Sequence, residues 1–157
     1  MHFGFSYIGL IYLLMLFIPN MMWTKHQPAD YDKYVVKENK ILVLLERTGQ
    51  ILVCAVVLIF SDFNIGRIRP WSFVLAFSFL LMVLYEVFWI RYFRSGGNME
   101  DFYASLLGIP LAGATLPVAA FFVLGVYGKN IFLIVAVLIL GIGHIGIHAG
   151  HMKEIRS

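Results

Sequence analysis

Charged side chains are scarce in this sequence. Only 13% of the 157 residues are Asp, Glu, Lys or Arg, whereas 61% are hydrophobic. Soluble globular domains carry about 25% charged and roughly 45–50% apolar residues, and a domain of this size buries about 70% of its extended surface. A soluble fold would therefore leave many apolar side chains in water. The composition indicates an integral membrane protein, because lipid is the solvent that such side chains prefer.

Three further scarcities argue against other classes of protein. Cysteine occurs once, at Cys54, so no disulfide can form within the chain. The net charge is only +3 and no basic stripe runs along the sequence, so nucleic acid is not a predicted partner. No glycine-rich phosphate-binding loop is present, which argues against an ATP-driven pump within this chain.

Long apolar runs are what the sequence has in abundance. An α-helix needs about 20 mostly apolar residues to cross ~30 Å of hydrocarbon. Five stretches meet this requirement, at about 3–23, 41–63, 71–93, 104–127 and 131–150. The predicted fold class is all-α: one transmembrane domain over residues 1–157, built as a bundle of five helices. The predicted partner is the lipid bilayer, and the predicted location is the cell membrane, as a multi-pass protein.

The hydrophilic connectors predict the orientation of this bundle. The connectors on one side hold Lys25, Lys33, Lys37, Lys40, Arg91, Arg94, Lys153 and Arg156, whereas the other side holds Arg67, Arg69 and Lys129. Lysine and arginine accumulate on the cytoplasmic side of membrane proteins. We therefore predict that the N-terminus lies outside and the C-terminus inside.

Polar residues inside the predicted spans are clustered. Each ionisable group costs about 2.5–3.5 kcal/mol at the centre of a membrane helix, so it requires an explanation. The predicted topology places several of them at similar depth in the cytoplasmic half: Asn20, Glu46, Arg47, Gln50, Tyr85 and Glu86. This convergence predicts a polar pocket that opens to the cytoplasm, with Glu86 paired to Arg47. The alternative is that these groups are helix-end charges that only hold the bundle together.

Three histidines form a second pattern. His144, His148 and His151 fall within an arc of about 60° on one face of a helix. Two of them, His144 and His148, could bind a zinc or iron ion if Glu46 or Glu86 completed the ligand set. All three could instead relay protons. A third interpretation is that they meet lipid headgroups at the membrane surface.

Glycines lie on the other side of the same helix. Gly146 and Gly150 form a G-xxx-G pair, which is typical of close helix packing in membranes. The small residues of the fourth span, in GIPLAGATLPVAA, predict that span as the packing partner. The Gly146/Gly150 face is also a candidate surface for oligomerisation.

These patterns leave three hypotheses for function. The leading one is a small carrier or binding protein for a polar solute, a proton or a metal. In it, Glu46 and Glu86 bear charge or accept protons, Arg47 supplies the counter-charge, and the histidines act as relays or ligands. The second is a membrane-embedded enzyme that acts on a lipid or isoprenoid, with a histidine and a carboxylate as acid and base. The third is a structural or regulatory membrane subunit.

Overall fold

The structure, a computed structural model, describes residues 1–28, 31–35 and 37–155. It is all-α, with 74% of residues in helices and no strand in the described part of the chain, which confirms the predicted fold class. Arg156, one of the charges used for orientation, lies outside the described residues. The helices are α1 (Tyr7–Trp23), α2 (Tyr31–Val35), α3 (Lys40–Ile59), α4 (Ser72–Phe93), α5 (Met99–Tyr103), α6 (Ala112–Tyr127) and α7 (Ile131–Ile155).

Three of the helices, α3, α4 and α7, are long and apolar enough to cross a bilayer within the part of the chain that the structure describes. Helices α1 and α6 are equally apolar but contain 17 and 16 residues. At 1.5 Å per residue, such helices span about 25 Å and need flanking residues to cross ~30 Å of hydrocarbon. A five-span topology therefore remains a prediction.

Each of the first two predicted spans extends beyond one end of the helix in the structure. Helix α1 begins at Tyr7, not at residue 3, because the Ser6 side chain accepts a hydrogen bond from the Gly9 N–H and caps the helix. The preceding residues are extended and pair with residues 58–61 through backbone hydrogen bonds. Helix α3 ends at Ile59, where Phe60 becomes extended, and a 3₁₀ turn replaces the predicted helix up to residue 63.

The prediction of a helix over 104–127 was wrong for its first eight residues. Leu107, Gly108 and Leu111 have φ values of 51°, 81° and 51°, which no α-helix accommodates. Leu106 and Ile109 hydrogen-bond each other across a tight turn, and α6 begins only at Ala112. Helix α7, in contrast, continues past the predicted end at residue 150 to Ile155, so His151 is helical.

The helices pack as an arc in the order α3, α7, α6, α4, and α1 bridges the two ends of that arc. The α3–α7 contact is extensive and close, because a Cβ atom on Gly49 would overlap the backbone of Leu140 and one on Gly143 would overlap the backbone of Glu46. Gly146 faces the Leu42 side chain, whereas Gly150 has open space beside it. The prediction that the glycine face of α7 packs on the fourth span was therefore wrong: its partner within the chain is α3.

A buried hydrogen-bond chain attaches α1 to the arc. The Tyr12 hydroxyl on α1 donates to Ser78 Oγ on α4 at 3.0 Å, and Ser78 Oγ donates to the Ala120 carbonyl on α6 at 2.7 Å. Tyr12 and Ser78 are both fully buried. We expect Ser78→Ala to destabilise the protein by about 1–3 kcal/mol, because it leaves the buried Tyr12 hydroxyl without a partner. Tyr12→Phe should cost less, since Ser78 keeps its bond to Ala120.

Thermal unfolding of both variants and of the double variant in detergent tests this expectation. Adding Tyr12→Phe to Ser78→Ala should cause no further loss, because it removes the orphaned hydroxyl. A Ser78→Ala variant as stable as Tyr12→Phe would contradict the assignment.

Candidate functional site

A cavity of about 320 Å³ lies inside the bundle, at the end where α2 and α5 are found. Every helix of the arc, together with α1, α2 and α5, contributes to its wall. Six of the nine residues singled out from the sequence line it: Asn20, Glu46, Gln50, Tyr85, His144 and His148. Side chains from four helices, which the sequence predicted to lie at similar depth, thus share one cavity.

The contact between Glu46 and His144 joins α3 to α7 in the cavity wall. His144 Nδ1 and Glu46 Oε1 are hydrogen-bonded, and about a fifth of each side chain is exposed. The bond depends on Gly143, the neighbour of His144, whose lack of a side chain lets the backbone of α7 touch that of α3 at Glu46. A carboxylate and an imidazole in contact form a pair that can hold one proton between them or interact with a cation.

A tyrosine that sequence reasoning missed connects the other two histidines. The Tyr103 hydroxyl on α5 lies 2.9 Å from His148 Nδ1 and 2.9 Å from His151 Nδ1. His151 does not line the cavity, but it is buried and reaches the cavity through Tyr103. The sequence did contain a signal for the short helix that carries Tyr103. Asn98 precedes this helix, and its side chain caps it by accepting a hydrogen bond from the Asp101 N–H.

His151 also approaches Glu38, in the connector between α2 and α3. His151 Nε2 lies 3.2 Å from Glu38 Oε1, close enough for an ion pair but not aligned for a hydrogen bond. Partial burial raises the pKa of Glu38 above its ordinary value, the negative charge of Glu46 raises it further, and Arg47 opposes both. Glu38 is therefore held closer to the range in which a histidine exchanges protons with it.

Asn20 and Tyr85 close the cavity on the side of α1. The Asn20 amide donates to the Tyr85 hydroxyl at 2.8 Å and to the Leu16 carbonyl at 2.6 Å. Tyr85 is buried on α4, so this bond ties the end of α1 to the arc. These two residues hold α1 against α4 beside the Glu46–His144 pair.

Two of the predicted site residues lie away from the cavity. Arg47 is exposed, and Glu86 is half-buried on α4. The prediction that they form an ion pair was wrong, since Oε1 of Glu86 is buried and has no hydrogen-bond partner among the described residues. The reason is topological: α3 and α4 are the two ends of the arc and are separated by the cavity.

The donor groups do not form a metal ligand set. In residues 1–28, 31–35 and 37–155, no group of three or more His, Cys, Asp and Glu side chains is arranged to hold a metal ion. The Nδ1 atom of His144 is engaged by Glu46, and that of His148 by Tyr103. Glu86, named as a possible further ligand, lies outside the cavity. The described residues therefore do not bring His144, His148 and a carboxylate together in the arrangement that the predicted zinc or iron site required.

The charge of the cavity wall has one sign. Among the described residues that line it, Glu46 is the one carboxylate, and there is no lysine or arginine. Nine of the other lining residues are aromatic: Phe17, Trp23, Tyr31, Tyr85, Phe88, Trp89, Phe102, Tyr103 and Phe121. Aromatic faces and a carboxylate attract organic cations, whereas the two imidazoles of the wall, on His144 and His148, are positive only when they are protonated.

The cavity also reaches the side of the bundle. Phe17 on α1 and Gln50 on α3 belong to its wall and are exposed. The cavity is therefore not sealed from the surroundings of the bundle at these two helices.

The chain shows no significant match to any protein-family model, curated protein or solved structure.

Proposed function

We propose that this chain is a five-span integral membrane protein that binds, as a carrier does, a small hydrophobic organic cation in its cavity. The observation that supports this most is the group of nine aromatic rings in the wall, together with Glu46 as its one carboxylate and no lysine or arginine among the described lining residues. The sequence alone favoured a polar solute, a proton or a metal, and the aromatic rings of the wall lead us to propose an amphipathic organic cation instead.

The membrane topology follows from length and charge. The three long apolar helices and the two shorter ones each require lipid around their exposed Leu, Ile and Phe side chains. The lysines and arginines next to the polar end of the bundle favour a cytoplasmic position for that end. In this orientation, the N-terminus is outside, the C-terminus is inside and the cavity lies in the cytoplasmic half of the membrane.

The binding mode follows from the cavity wall. The ammonium group of the ligand would lie at the Glu46–His144 pair, and its apolar part would lie against Trp23, Phe88 and Trp89. A ligand of this kind partitions into the bilayer and would enter between α1 and α3. In a site shielded from water, the carboxylate supplies the charge that compensates the ligand.

Binding of benzyltrimethylammonium to the purified full chain tests this proposal. Trp23 and Trp89 line the cavity, so tryptophan emission should change in a saturable manner on titration. Glu46→Gln should weaken binding at least about tenfold, which corresponds to ~1.4 kcal/mol for loss of the counter-charge. Glu86→Gln is the matched control, because it removes the same charge outside the cavity and should leave binding unchanged.

Neopentylbenzene, which has the shape of the probe without its charge, distinguishes charge from hydrophobic fit. It should bind to the native chain more weakly than the cation does. It should bind to Glu46→Gln as well as it binds to the native chain. Absence of saturable binding, or equal binding of the cation to the native chain and to Glu46→Gln, would contradict the proposal.

A second candidate function rests on the Glu46–His144 pair itself. A hydrogen-bonded carboxylate and imidazole in an apolar cavity can act as base and acid on a lipid or isoprenoid. This hypothesis predicts a chemically altered lipid after incubation of the protein with membrane lipid extract. It also predicts loss of that product in His144→Gln, whereas a binding protein returns its ligand unchanged.

A further inference from the structure

We propose that the side chains of Glu46, His144, His148, Tyr103, His151 and Glu38 form a proton path from the cavity to the surface of the bundle. The proposed function supplies the reason for such a path. A cation that takes the Glu46 carboxylate displaces the proton held between Glu46 and His144, and that proton must leave the cavity. The path itself is argued from the contacts below and does not depend on the identity of the ligand.

The central step lies at the Tyr103 hydroxyl. It is 2.9 Å from both His148 Nδ1 and His151 Nδ1. A hydroxyl has one proton to donate, so it can donate to only one of the two imidazoles and must accept an N–H from the other. Two arrangements satisfy this rule. They interconvert when His148, having gained a proton at Nε2, passes its Nδ1 proton to the tyrosine oxygen as the hydroxyl proton moves to His151 Nδ1, and His151 then releases its Nε2 proton outward, so that both imidazoles end neutral. Each exchange carries one proton past Tyr103 and leaves the hydroxyl neutral.

Tyr103 remains a hydroxyl throughout this exchange. Burial raises its pKa above the ordinary tyrosine value, and the neighbouring Tyr31 and Glu38 raise it further. The phenolate form is therefore disfavoured, and Tyr103 acts as a relay and not as a store of charge.

The inner step crosses from His148 to His144. Their rings lie edge to face with centroids 4.5 Å apart. No direct hydrogen bond joins them, but both line the cavity, which is large enough for water. A water molecule between the two imidazoles completes the path to the Glu46–His144 pair.

The outer step leads to Glu38. Its carboxylate lies 3.2 Å from His151 Nε2, so a small rotation that aligns the two groups is required before the proton passes, and 16% of the Glu38 side chain is exposed to solvent. The ionisable groups that surround this end come from several elements: Tyr31 and Tyr34 of α2, Lys37, Arg47 of α3, Tyr103 of α5, and Glu154, which pairs with Lys37. Glu38 lies against the outer nitrogen of His151, has a carboxylate that can take up a proton and reaches solvent, so it serves as the outer end of the path.

The experiment is a pH jump on the full chain in nanodiscs, followed by time-resolved infrared spectroscopy. The protonated carboxyl band of Glu46 is identified by its loss in Glu46→Gln. In the native chain the intensity of this band should change after the pH jump. In Tyr103→Phe the rate of that change should fall at least about tenfold, since one hydrogen-bonded step of the path is lost. The final amplitude of the Glu46 band in Tyr103→Phe should equal that in the native chain, because Tyr103 does not touch Glu46.

Two further variants protect the test against a folding defect. Tyr34→Phe removes a hydroxyl from a ring that also contacts His151 but has no role in the path, and its rate should match the native rate. Glu38→Gln alters only the outer end, at a partly exposed position, and should also slow the band. Equal rates in the native chain, Tyr103→Phe and Glu38→Gln, or no Glu46 band at any pH, would overturn the path. Because no organic cation is present, failure here is distinct from failure of the binding proposal.

Discussion

Gly143→Ala lowers the stability of the protein by about 3 kcal/mol or more, because the added methyl group has no space between α7 and α3. A Cβ atom there would overlap the Glu46 backbone nitrogen and lie 2.6 Å from the Leu42 carbonyl oxygen. Neither backbone can move aside alone, since Gly49 and Leu140 form a second close contact between the same helices. The expected result in thermal unfolding is a fall in melting temperature of at least about 6 °C.

Gly150→Ala is the matched control for this change. Gly150 lies on the same helix, but a Cβ atom there meets nothing within 4 Å. Alanine is favoured over glycine in a helix by roughly 0.5–1 kcal/mol, so this variant should be as stable as the native chain or slightly more stable. Equal stability of the two alanine variants would show that α3 and α7 are not in contact at Gly143.

Arg91→Ala should release the segment of residues 104–111 from α4. The Arg91 guanidinium donates to the carbonyls of Ser105 at 2.7 Å and Ala104 at 2.8 Å, and it lies over the ring of Phe88. Hydrogen bonds to a charged group contribute about 1.5–3 kcal/mol. We expect a loss of about 2–3 kcal/mol in stability, together with faster amide hydrogen exchange in residues 99–111.

Arg94→Ala provides the comparison, because Arg94 is exposed just beyond the end of the same helix. It should change neither stability nor exchange. Arg91→Lys should recover only part of the loss, since an ammonium group cannot reproduce the planar fork that reaches two carbonyls. Unchanged exchange in Arg91→Ala would contradict the role of Arg91 in holding this segment.

The positions of the long helices and the end of the bundle at which the polar groups lie were predictable from sequence, because both follow from the run length of apolar residues. The apolar runs located every long helix, and the periodicity of α7 placed three histidines on one face. Because consecutive long helices run in opposite directions, Asn20, Glu46, Tyr85 and His144 come to lie at the same end of the bundle. None of these inferences requires knowledge of which helices are neighbours.

What could not be predicted depends on neighbour relations and on backbone sterics. The pairing of Glu86 with Arg47 assumed that α3 and α4 touch, whereas the order of the arc separates them. The glycines of α7 indicated close packing but not against which helix. Tyr103 lies in a connector whose helix has only five residues, too short for a periodic pattern.

The arc of helices has a consequence for biosynthesis. Tyr12 and Asn20 of α1 hydrogen-bond to Ser78 and Tyr85 of α4, which follow them by 66 and 65 residues. Helix α1 is therefore made first, yet its polar partners leave the ribosome several tens of residues later. During translation α1 must remain undocked until α4 has emerged, and the cavity is complete only after α7, which carries His144 and His148, has followed.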